Sequence, residues 1–152
     1  MKLDPRSPIR DPRSDSEDAL ENLIAAFEAC TVPREDWNHR AHLAYALYML
    51  RRHGPVLGAF AIRDGILRYN SAQRIEQTPD SGYHETLTRF YIWVVQRYLA
   101  ETNAQAPLSV LLDELCERYG DRDLPYRYYS RERLKSWEAK TRWLEPDLLI
   151  LQ

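Results

Sequence analysis

Trp37-Asn38-His39-Arg40-Ala41-His42-Leu43 and Gly82-Tyr83-His84-Glu85-Thr86-Leu87-Thr88 hold three of the four histidines in the chain. Each stretch reads as the opening of a long helix. After the first, Leu43, Ala46, Leu47 and Leu50 recur at helical spacing, and Gly54-Pro55 stops the run near His53. After the second, Tyr83, Leu87, Phe90, Tyr91, Val94, Val95, Tyr98 and Leu99 trace a wide apolar stripe that continues to about Thr102. The helix with this stripe reads as the central one of the fold.

The remaining elements follow outward from these two. Asp15 or Ser16 caps a first helix with Leu20, Leu23, Ile24 and Phe27 on one face, ending near Cys30 because Val32-Pro33 disfavours continuation. A third helix runs from Pro55 to Ala72, with Leu57, Phe60, Ala61, Ile62, Ile66, Leu67 and Tyr69 as its apolar surface. Its Gly58 and Gly65 let a neighbour approach closely. A polar loop covers 73–81. A fifth helix spans Pro107 to Tyr119, with Leu108, Leu111, Leu112 and Leu115 inward, and Asp121 to Pro125 is a connection. From Tyr126 to Gln152 the pattern gives short helices capped by Ser130 and Ser136, an extended tail, and an aromatic lid of Tyr126, Tyr128, Tyr129, Trp137 and Trp143. No stretch reads as a strand. The expected class is all-α: an up-down four-helix bundle core with an added fifth helix and a C-terminal short-helix and extended aromatic segment.

Residues 1–14 mix three prolines with charges of both signs and are expected to form a loose, disordered arm, leaving 15–152 as a single helical domain. The net charge of −2 gives no basic field for nucleic acid or an anionic membrane. No apolar run approaches the ~20 residues of a membrane span, and the N-terminus carries no secretory h-region. Cys30 and Cys116 are far apart and match neither a zinc ribbon nor a disulfide framework, so they read as reduced thiols in a cytoplasmic protein.

In an up-down order, the second and fourth helices run parallel. His39, His42 and His84 then meet at one end, joined there by Glu28 and Cys30 from the first helix and by Arg68, Tyr69 and Asn70 from the third. Imidazoles three residues apart on one helix plus a third from a facing helix make a three-nitrogen metal site. Zinc, iron, manganese and nickel all suit such ligands. Glu28 or Glu85 could complete the site or act as a general base. Adjacent helical residues point about 100° apart, so Glu85 fits better as a base, a supporting residue or a capping carboxylate than as a partner ligand to His84. Tyr69, Asn70, Thr88 and Arg40 are the substrate-binding candidates, Arg40 being one of several arginines, with Arg68, Arg89 and Arg127, that could clamp an anion. No phosphate loop, GxSxG or HExxH is present.

These residues point to a metal-dependent enzyme acting on a small polar substrate. The alternative from another class is a non-catalytic binding or interaction module whose histidines brace helix ends or stack on Trp37. A third reading is a metal-free enzyme moving protons with His84 and Glu85. A homodimer is left open.

An aromatic and a polar residue followed by His-x-x-His-Leu, then Tyr-His-Glu-Thr-x-Thr, Tyr-Ser-Arg-Glu-x-Leu and Pro-Asp-Leu, stand here at Trp37 to Leu43, Tyr83 to Thr88, Tyr129 to Leu134 and Pro146 to Leu148. This set resembles a group of uncharacterised bacterial proteins over nearly all of the chain beyond the arm, a resemblance that implies no established activity. More loosely, and with different histidine spacing, the chain is similar to the DinB-like four-helix bundles, where three histidines bind a metal at one end.

Overall fold

The computed structural model describes residues 16–152, so the expected arm over 1–14 and a cap at Asp15 lie outside the described residues. The described chain is all-α, with six α-helices and two short 3-10 turns. Its one β-type contact among the described residues is an isolated bridge between Thr78 and Ser81. Among the described residues, no helix is long and apolar enough to cross a membrane.

Ser16 opens α1 (Glu17–Glu28) by accepting the Ala19 N–H at 3.1 Å, and Glu17 and Asp18 sit favourably against the positive helix end. Leu20, Ile24 and Phe27 are the residues this helix buries. Cys30 then takes a left-handed φ of 60°, which turns the chain out of the helix.

Helix α2 (His39–Ala72) is continuous only in outline. Gly54 sits at φ 82° and ψ 178°, a region essentially restricted to glycine, and Pro55 follows it. The chain reverses there into an antiparallel hairpin of two segments, 39–53 and 55–72, the two helices expected from the sequence. A methyl group on Gly58 would lie 2.8 Å from the Leu50 Cα, so the missing side chain is what lets the two backbones meet. Farther along the hairpin, the Tyr45 hydroxyl reaches the Ala61 carbonyl at 3.4 Å.

The second half of the hairpin corrects one expectation. Leu57 and Phe60 are exposed, at 67% and 69%, and do not belong to the core face. This segment carries apolar residues nearly all round, so periodicity alone cannot choose its inward side. Gly58 and Gly65 choose it, because they lie on one face at helical pitch and permit the close approach. That face buries Ile62, Ile66 and Tyr69 and turns Leu57 and Phe60 outward.

Helix α3 (Glu85–Glu101) packs on the hairpin. The Gln96 amide donates to the Pro55 carbonyl at 3.1 Å, and Arg63 lies 3.3 Å from Glu85. These two contacts make α3 antiparallel to 55–72 and therefore co-directional with 39–53. Helix α4 (Leu108–Tyr119) buries Leu108, Leu111, Leu112 and Leu115, as its spacing predicts. Arg40 ties it to α2 through Asp113 at 2.6 Å.

The C-terminal part wraps α3. After a 3-10 turn at Leu124–Arg127 come α5 (Arg131–Leu134) and α6 (Trp137–Thr141), capped by Ser130 and Ser136 as expected. Phe90, Val94, Leu124, Tyr129 and Leu134 form a second apolar cluster beneath this wrap. Tyr128 packs 5.3 Å from Phe90, and Arg89 lies over Trp143 at 4.9 Å. Trp137, expected in the lid, is 49% exposed.

Candidate functional site

The site begins at the N-terminus of α2. The Asn38 side chain accepts the Ala41 N–H at 2.9 Å and caps the helix. The His42 ring lies against Trp37 with centroids 4.1 Å apart, and Trp37 in turn stacks on Phe27 at 3.7 Å. Nδ1 of His42 lies 2.8 Å from the Asn38 carbonyl, which can only accept, so Nδ1 carries the proton and Nε2 keeps its lone pair. Burial pushes the His42 pKa down to about 4; the Asn38 contact opposes this, and the charges of His39 and Arg122 add to it. His42 is neutral at pH 7.

His39, one turn earlier on the same face, meets Tyr91 edge-on at 5.0 Å. Its Nε2 is buried without a hydrogen-bond partner among the described residues. Burial first, and then the Arg122 charge, hold its pKa below the usual histidine range. Such an orphaned polar atom is uncommon in a folded chain and costs stability.

His84 is placed differently. It caps α3, with Nδ1 accepting the Leu87 N–H at 3.0 Å, while Nε2–H donates to the Leu134 carbonyl at 2.8 Å. Both ring nitrogens are committed. Burial lowers its pKa, the Leu134 contact opposes this, and Lys140 adds to the lowering.

All three histidines line one cavity of about 370 Å³, because 39–53 and α3 start at the same end. Asn70 and Thr88 are on its wall as well. Most of the wall is apolar, from Leu43, Ala46, Ile62, Ile66, Ile75, Leu87 and Ile92, and the further polar groups are Asn38, Tyr83, Tyr91 and Arg122. No carboxylate lines the cavity among the described residues.

The other candidates lie elsewhere. Glu28 is in a separate groove with Tyr48, Arg52 and His53, where it accepts from the Tyr45 hydroxyl at 3.3 Å and pairs with Arg68 at 3.7 Å. Glu85 is off the cavity wall: its Oε2 accepts from the Tyr83 hydroxyl at 2.6 Å and faces Arg63 at 3.3 Å, consistent with the rotation separating neighbouring helical residues. Burial and this carboxylate both raise the Tyr83 pKa. Tyr69 is fully buried, its hydroxyl donating to the Val32 carbonyl at 2.8 Å, so it faces the core. Arg40 lines another cleft and is held by Asp113.

Among the described residues, no group of three His, Cys, Asp or Glu side chains is arranged to hold a metal ion. The expected triad breaks at His84, which has no lone pair left to offer. His39 and His42 remain as a pair of imidazoles on one wall.

The Tyr-His-Glu-Thr-x-Thr motif has a structural account instead. The Thr86 hydroxyl, fully buried, donates to the Arg142 carbonyl at 2.7 Å and accepts the Leu144 N–H at 3.1 Å. His84 holds Leu134, and the Asp147 carboxylate accepts the Ser130 N–H at 2.8 Å. The Tyr129 to Leu134 motif is therefore clasped to the start of α3, the Pro146 to Leu148 motif is held to it in turn, and Thr86 secures the chain between them. Arg122, in contrast, lay in a stretch read only as a connection, where no periodic pattern marks a residue for a cavity wall.

Comparison with protein-family models, with curated protein sequences and with solved structures returns no match.

Proposed function

We propose that this chain binds a small, mostly apolar molecule in the histidine cavity, with His39 and His42 as its neutral polar contacts. The observation that carries this reading is the buried, partnerless Nε2 of His39 beside the free lone pair of His42. Around 300–1,000 Å³, apolar walls and a few convergent polar groups are the usual features of a ligand pocket, and this cavity falls at the lower end of that range. Neutral imidazoles in such a setting can accept a proton from a bound molecule or hand one to it. In this reading, His84 braces the wall and touches no ligand.

A filled cavity tests the proposal. Ala46, buried on the wall, is replaced by leucine, and binding of the dye anilinonaphthalene sulfonate is followed by fluorescence with thermal unfolding as the folding control. The native chain is expected to bind the dye, and a folded Ala46→Leu variant is expected to lose it. Equal dye binding by both would place the ligand elsewhere and refute the reading.

One observation favours a second, metal-assisted reading. His42 has its Nδ1–H fixed on a carbonyl and its Nε2 free, the arrangement that orients imidazole ligands of metals. His39 and His42 would then supply two nitrogens to zinc, iron, manganese or nickel, with water or substrate completing the shell. Metal analysis of protein purified without a histidine tag separates the readings: stoichiometric metal lost in His39→Ala and His42→Ala supports the second, and its absence supports the first.

A further inference from the structure

We infer that the ligand of the histidine cavity is an amphipathic monoanion: an apolar body carrying a single carboxylate that is received by Arg122 and the His39 imidazole. This rests on the ligand reading above and names its chemical class.

Four observations converge on it. The cavity wall among the described residues has one permanent cation, Arg122, and no carboxylate. The Arg122 guanidinium makes no hydrogen bond or ion pair among the described residues, so its fork of donors is available to a planar anion. Its charge reaches the site, since it opposes protonation of both His39 and His42. The buried Nε2 of His39 adds a second polar contact, and as the N–H tautomer it would donate to a carboxylate oxygen.

The backbone adds to this bias. The N-termini of α2 and α3 both open at the cavity, so the positive ends of two helices face it. Asp121 and Asp123 flank Arg122 in sequence, yet neither is on the wall. Their influence falls on Tyr91, whose phenol is also buried, and both effects keep that hydroxyl protonated. A cation would meet the Arg122 charge with no carboxylate on the wall to balance it, and a neutral apolar molecule would leave Arg122 and His39 unanswered. The seven aliphatic wall residues supply the surface for the body of the ligand.

Matched acids and amides test the inference on the full chain by titration calorimetry: octanoate against octanamide, and phenylacetate against phenylacetamide. Each acid should bind roughly tenfold tighter than its amide, as a charge-assisted contact implies. Arg122→Gln should erase that gap by weakening binding of the acids. Equal affinity for acid and amide in the native chain, or a gap that survives Arg122→Gln, overturns the inference while the ligand reading stands. If neither acids nor amides bind, the ligand reading falls and takes the inference with it.

Discussion

Acid should destabilise this fold through His42 before its carboxylates titrate. In the folded chain burial holds the His42 pKa near 4, against about 6.5 for a histidine exposed on unfolding. The unfolded chain therefore takes up the proton first. The stabilisation from a neutral His42 is complete above about pH 6.5 and is lost progressively as the pH falls toward 4. Integrating between pH 7 and pH 5 with these two values gives a loss of about 2 kcal/mol from this residue. In a chain of this size, that corresponds to a fall in Tm of about 4 to 8 °C. The pKa values of His39 and His84 are lowered in the same direction and add to the loss. The assay is urea unfolding at a series of pH values on the native chain and on His42→Phe. The phenyl ring keeps the stack on Trp37, and the Asn38 carbonyl still accepts the main-chain N–H of residue 42 at 3.0 Å. His42→Phe should remove about 2 kcal/mol of the pH 7 to 5 dependence. A native chain equally stable at both pH values, or a variant with the native slope, would refute the reasoning.

Thr86→Val keeps the shape but strips the clasp of its hydroxyl, leaving the Arg142 carbonyl and the Leu144 N–H without that partner. It should cost about 2–4 kcal/mol in urea unfolding, with faster amide exchange over 142–144, whereas Thr86→Ser should recover much of the loss. His84→Ala removes a helix cap and the partner of the Leu134 carbonyl, for a loss of about 2–4 kcal/mol. That loss should be the same with and without a chelator; one that vanishes in chelator would point to a metal at His84 instead.

The features readable from the sequence were those with a local signature. Ser16, Ser130 and Ser136 cap because a hydroxyl two or three residues before a helical N–H always can. Gly54-Pro55 breaks α2 because no other pair so directly forbids helical continuation. The meeting of His39, His42 and His84 follows from helix direction alone. What was not readable depended on contacts between distant residues. His84 is claimed by a carbonyl fifty residues on, and no spacing rule reveals that its lone pair is spent. Glu28 and Tyr69 lie near the ends of their helices, yet a rotation about the helix axis, set by packing, points them elsewhere. Arg122 reaches the cavity from a connection, where side-chain direction follows from the neighbours and not from a repeat.

The measurement closest to the centre of the account is imidazole NMR on uniformly labelled native chain, using long-range proton–nitrogen correlations with and without octanoate. It should report His84 as the Nε2–H tautomer and unmoved by octanoate, with His42 as the Nδ1–H tautomer and both His39 and His42 shifting on addition. Octanoate that shifts His84 and leaves His39 and His42 unchanged, or a His84 ring bearing its proton on Nδ1, would contradict it.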